Sequence, residues 1–127
     1  MKYQIELNKE QLDIILSALD FYSRCGTGQL EEVAHLLAEK PALSWEVLRS
    51  EEFDEFKRKL TNLPVHSSHS ICSLKVKQEF KEAYSIYTQI RQYLWQFDPN
   101  RNNYSVYKDG DLLKLSRQPE IKIKGLI

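Results

Sequence analysis

The chain has 127 residues, an apolar fraction of 42%, and 18 basic against 18 acidic side chains. That length fits one domain, residues 1–127, able to bury a core without staples, and the scarcity of Gly and Pro excludes a disordered or collagen-like chain. Charge balance removes the global positive field that a long DNA or RNA would require, while leaving room for a local pair of cations around a small anion.

No apolar run follows a basic start, so no signal peptide is expected, and no apolar stretch approaches the length of a membrane span. Cys25 and Cys72 are too few for a disulfide framework, which points to free thiols and a cytoplasmic protein. The chain carries no internal repeat.

In chain order, Lys2 to Leu7 alternates, with Tyr3, Ile5 and Leu7 on one face, and the pattern predicts a half-buried strand. Asn8, with Gln11 three residues on, predicts a capped helix start. Leu12, Ile15, Leu16, Leu19 and Tyr22 then follow at helical spacing. Gly26 is placed to end this helix in a left-handed conformation. A second helix is expected from about Gly28, with Leu30, Val33, Ala34 and Leu37 on its buried face, and the Lys40-Pro41 step stops it. Ser44 is a candidate cap for a helix over Trp45 to Leu60, with Phe53, Phe56, Leu60 and Leu63 inward. The charges of Glu51 to Lys59 then read as a solvated face.

Pro64 begins a polar loop containing VHSSHS. The long helix is expected over Leu74 to Gln96, with Phe80, Ala83, Tyr84, Tyr87, Ile90, Arg91 and Leu94 spaced by three and four. Asp98-Pro99-Asn100 stops it. Tyr104 to Tyr107, a turn at Asp109-Gly110, and Leu112 to Leu115 read as a hairpin, and Glu120 to Lys124 alternates again. The fold class expected is α+β, predominantly helical, with a small antiparallel sheet pairing the N-terminal strand with the C-terminal strands.

The last third concentrates Tyr84, Tyr87, Tyr93, Trp95, Phe97, Tyr104 and Tyr107 with Arg91, Arg101 and Arg117. Flat rings stack on bases and guanidinium forks hold phosphates, so the mixture suits a small nucleotide. The same rings also suit an ordinary helical core. Arg24 stands in a last helical turn, where the helix dipole favours a cation without any ligand. Gly26-Thr27-Gly28 joins two helices and lacks the preceding strand of a dinucleotide fingerprint. His66, His69 and Cys72 are the one metal-like spacing. They lack a fourth partner nearby and match no standard zinc pattern, so no metal or other cofactor is expected. Ser67, Ser68 and Ser70 lie near the histidines without a nucleophile elbow, and no enzymatic site is expected.

Two segments, ALDFYSRCGTGQLEEV (18–33) and AYSIYTQIRQYLWQFDPNRNNYSVY (83–107), resemble the first described family of phage anti-Thoeris sponge proteins. The resemblance follows most of the chain in element order, except roughly residues 40–75. It implies a homo-oligomer that binds a cyclic nucleotide immune signal, a glycocyclic ADP-ribose isomer, without cleaving it. Some members also hold cyclic trinucleotides at a separate site. The resemblance further implies Arg24 and Arg117 as phosphate contacts. It implies Phe97, Asn100 and Arg101 as base and ribose contacts, with Arg91 and Trp95 behind them. The stretch DPNRNNYSVYKDG departs from the family pattern by being richer in Asn and poorer in Gly, which leaves the stacking residue open. The function expected is sequestration of a small cyclic nucleotide, with no long nucleic acid and no membrane as partner. The alternatives are a small interaction module that inhibits a host protein by direct contact, and a nucleotide hydrolase.

Overall fold

The computed structural model describes residues 1–100 and 114–125. Five helices are present among them: α1 (Lys9–Gly26), α2 (Glu31–Leu37), α3 (Pro41–Leu48), α4 (Glu51–Thr61) and α5 (Gln78–Gln96). No strand occurs among the described residues, which corrects the expected α+β class and its small sheet. Residues 2–7 are exposed, Tyr3 at 83%, and lie in no sheet. Alternation selects a face only where a partner strand exists, and an unpaired strand leaves its backbone to water. Residues 120–124 lie along α5 instead of in a sheet. The expected strand at Tyr104 to Tyr107, the turn at Asp109-Gly110, and Leu112 lie outside the described residues.

α1 starts as its sequence requires. The Asn8 side chain accepts from the Gln11 N–H at 2.9 Å, and the Gln11 side chain accepts from the Asn8 N–H at 3.0 Å. Its end differs from expectation. Gly26 is helical, and its hydrogen-only face admits the Phe80 ring, since a Cβ there would sit 2.0 Å from Phe80 Cγ. Gly28, at φ 94°, is the residue that turns the chain. Tyr22 packs on the same Phe80 ring at 4.9 Å and donates to Glu79 at 2.7 Å. The end of α1 thus meets the start of α5, and the two run antiparallel in the largest helix contact of the fold.

The expected helix over Trp45 to Leu60 is two helices. Pro41 opens α3 at its first position, and Ser50 caps α4 by accepting from the Phe53 N–H at 3.2 Å. Ser44 lies inside α3, where its buried hydroxyl donates to the Pro41 carbonyl at 2.8 Å. Phe56 and Leu60 face water, and the inward position on α4 is Lys57. α2 likewise turns Val33 and Leu37 outward and buries Glu31. α5 starts later than expected, at Gln78, with Leu74 almost fully exposed and Val76 buried.

The buried apolar side chains among the described residues are Leu48, Val76, Ala83 and Ile90, against seventeen large apolar ones that are exposed. No helix among the described residues is long and apolar enough to cross a membrane.

Candidate functional site

α5 presents different faces to different neighbours. Ala83 and Ile90 are buried, and α1 is the helix that packs most extensively on α5 among the described residues. Another face carries Gln78, Glu82, Ser85, Gln89, Gln92, Tyr93 and Gln96, spaced by three and four as one stripe. Residues 115–125 lie along that stripe. The Gln78 amide donates to the Leu115 carbonyl at 2.7 Å. Glu82 accepts from the Arg117 N–H at 2.7 Å and from the Ser116 hydroxyl. Gln89 accepts from the Ile121 N–H at 2.9 Å, and the Tyr93 hydroxyl accepts from the Gly125 N–H at 2.7 Å. Ile121 and Ile123 are half-buried.

Between this segment and the second half of α5 lies an open groove of about 480 Å³, within the ~300–1,000 Å³ of small-molecule sites. Tyr93, the amides of Gln89, Gln92, Gln96 and Gln118, and Lys114 line it. Amides donate and accept along one edge, the phenol offers a ring and a hydroxyl, and the ammonium supplies a positive charge. The Ser116 hydroxyl, the Arg117 N–H and the Gln78 amide all donate to Glu82, and together with the Arg117 charge they outweigh its partial burial, holding its carboxyl below the ordinary value. Glu82 is therefore a fixed acceptor at neutral pH.

The sequence-predicted residues fall into two groups. Arg24 lies in a smaller pocket of about 200 Å³ with Thr27, Gln29, His69 and Tyr84. Its Nε donates to both Asp20 oxygens at 3.0 and 3.1 Å, and its Nη1 stands 3.5 Å from Glu32. The Asp20 hydrogen bond leads in raising the Arg24 pKa above its ordinary value. A phosphate would therefore have to compete with two carboxylates for this guanidinium. Arg91 donates to the Tyr87 hydroxyl at 2.9 Å and lies 5.3 Å from that ring. Trp95 is half-buried in the last turn of α5.

Phe97 packs on Tyr93 at 5.0 Å and so adjoins the groove. Asn100 is exposed, its N–H donating to Asp98 at 2.9 Å. Arg117 is exposed and anchors the groove wall through its main chain, while its side chain is not part of the lining. Arg101 lies outside the described residues.

Sequence reasoning missed Gln89, Gln92, Tyr93, Gln96, Lys114 and Gln118 as one group. The available signal was the glutamine spacing on α5. A merely solvated helix face ordinarily carries charges, whereas amides at 89, 92 and 96 can grip main chain or base edges. The histidine loop has other duties: the His66 N–H donates to Glu31 at 2.9 Å and the His69 N–H to the Thr27 carbonyl at 2.8 Å.

No protein-family model, curated protein or solved structure matches the chain. The likeness to anti-Thoeris sponges therefore rests on the quoted residues alone.

Proposed function

We propose that the protein binds a small cyclic nucleotide in the groove along α5 and sequesters it without chemistry, as a phage anti-defence protein in the host cytoplasm would. The observation that carries this reading is the lining itself: a tyrosine ring backed by Phe97, amides at hydrogen-bonding reach, and one ammonium. In the proposed complex Tyr93 stacks on the base, Gln118 reads a base or ribose edge, Gln89 keeps its bonds to Ile121 and Ser85 and holds the groove wall, and Lys114 meets phosphate. A sponge has to bind well below the signalling threshold, on the order of nanomolar, or about −12 kcal/mol. An open groove on one chain supplies this poorly, because association itself is costly. A homo-oligomer is part of the proposal for that reason, and the seventeen exposed large apolar side chains among the described residues support it.

The test is calorimetry with a panel of cyclic nucleotides, including glycocyclic ADP-ribose isomers. Tight binding by the wild type that weakens at least tenfold in Tyr93→Ala and Lys114→Ala, about 1.4 kcal/mol each, is the expected result. Binding unchanged in both variants removes the groove from the site. A second reading is inhibition of a host protein by surface contact, favoured by the exposed Leu36, Leu37, Trp45, Phe56 and Leu60 on α2, α3 and α4. Partner capture without added nucleotide, lost on replacing Trp45 and Phe56 by Ser, would favour it.

A further inference from the structure

The groove along α5 holds a charge of the same sign as a phosphate. Glu120 lines it together with Lys114 and Tyr93. An ionised carboxylate only accepts hydrogen bonds and repels phosphate, so beside an anionic ligand it calls for a donor on that ligand. Among the described residues neither the Glu120 nor the Lys114 side chain has a hydrogen bond or an ion pair. Both are exposed, and both stand ready for a ligand.

The contacts that hold residues 115–125 set an order along the helix. The Leu115 carbonyl, next to Lys114, is bound by Gln78 at the start of α5. The Ile121 N–H, next to Glu120, is bound by Gln89. Tyr93 stands four residues beyond Gln89, about 6 Å further along the axis. Lys114, Glu120 and the Tyr93 ring therefore follow one another from the start of α5 towards its end. In a nucleotide the sugar stands between phosphate and base. With the base on Tyr93 and phosphate on Lys114, Glu120 falls at the sugar. The wall leading to it is stiff. Pro119 fixes its own φ and restricts Gln118 before it. The Ser116 hydroxyl accepts from the Gln118 N–H at 2.9 Å while donating to Glu82. A carboxylate carried on such a wall needs little ordering when a ligand arrives.

We infer that Glu120 is a specificity-determining residue that accepts a hydrogen bond from a ribose 2′-hydroxyl, so that the groove selects cyclic ribonucleotides whose 2′-hydroxyl is free. Acidic side chains make the same pairing with ribose in dinucleotide sites. In a 3′,5′-linked cyclic nucleotide the 3′ and 5′ oxygens carry phosphate, so the 2′-hydroxyl is the one sugar donor left. The inference rests on the reading of the groove as a nucleotide site and deepens it by naming the sugar it takes.

Calorimetry with cyclic di-AMP and cyclic di-GMP, each beside its 2′-deoxy counterpart, tests it. The wild type should bind the ribose forms at least tenfold more tightly than the deoxy forms. Glu120→Ala should abolish that preference by weakening the ribose forms alone, with deoxy binding and the melting temperature unchanged. Equal weakening of ribose and deoxy forms overturns the sugar contact. So does weakening of the guanine ligands alone, which would place the carboxylate at the base edge. Tighter binding by Glu120→Ala would mean that the carboxylate only repels phosphate, and overturns it as well. Failure of both ribose forms to bind, where glycocyclic ADP-ribose isomers do bind, overturns this inference and leaves the groove as the nucleotide site. Failure of every cyclic nucleotide to bind removes both.

Discussion

The loop after α4 and the segment along α5 are both irregular chain gripped by helix side chains that reach main-chain atoms, and they differ in depth. Under the loop, Lys57 is 0% exposed and donates to both Glu31 oxygens at 2.6 and 2.7 Å and to the Ser67 carbonyl at 2.6 Å. Glu31 also accepts from the His66 N–H, and His66 takes a left-handed φ of 66° to offer it. Along α5 the grips are glutamine, glutamate and tyrosine at half-exposed positions, bonded to main-chain atoms of residues 115–125. The same kind of hydrogen bond is costly to break where water cannot replace it and cheap where it can. The loop is consequently a fixed joint between α2 and α4, and the segment on α5 is the more weakly held of the two.

The largest effect expected is on the buried joint. Lys57→Ala leaves the Glu31 carboxylate buried without its cation and should cost about 3–5 kcal/mol in urea unfolding. The pair change Glu31→Leu with Lys57→Met should cost clearly less, since it leaves no orphaned charge. A loss under about 1 kcal/mol for Lys57→Ala would erase the contrast between the two regions. Next in size is the joint between α1 and α5. Gly26→Ala drives a methyl into the Phe80 ring and should cost about 1–3 kcal/mol by the same unfolding measurement.

Acid sharpens the comparison. Burial alone would raise the Glu31 carboxyl, but the Lys57 hydrogen bond, the N–H groups of Glu31 and His66, and the Lys57 charge together leave it below its ordinary 4.5. A carboxyl lowered on folding stabilises the fold fully above its unfolded value, and that stability is lost as pH falls through the folded value. Melting temperature should therefore be steady through neutral pH and drop below about pH 4.5. Glu31→Gln should start lower at neutral pH and show a shallower acid drop. An acid slope identical in the two proteins would assign it to other carboxylates.

The smallest global effect belongs to the α5 stripe. Gln89→Ala and Tyr93→Phe should each cost no more than about 0.5–1.5 kcal/mol. Their signature is local: amide hydrogen exchange at Ile121 and Gly125 should quicken while α1 and the first half of α5 keep their protection. Equal quickening everywhere would mean that the segment is part of the global fold.

What the sequence revealed follows from how local each cause is. The Asn8–Gln11 cap and the end of α5 at Gln96 depend on neighbours three or four residues apart, and both were legible. Lys57 sits in the charged run 51–59 and looked solvated, because its partner Glu31 lies twenty-six positions away and leaves no periodic trace. The alternation of Tyr3, Ile5 and Leu7 was read correctly as a pattern and wrongly as a strand, since nothing local says whether a second strand exists. Of the expected site residues, Phe97 is the one that adjoins the groove, through Tyr93. The groove itself stayed hidden because its second wall, residues 114–125, is brought to α5 only by the tertiary fold.

The central claim is sequestration without chemistry in the groove along α5, and mass spectrometry of released small molecules tests it most directly. The protein is incubated with a panel of cyclic nucleotides, freed of unbound ligand, and heated. The account predicts one cyclic nucleotide recovered with its mass unchanged from the wild type and absent from Tyr93→Ala. Recovery of a cleaved product, or equal recovery from both proteins, would contradict it.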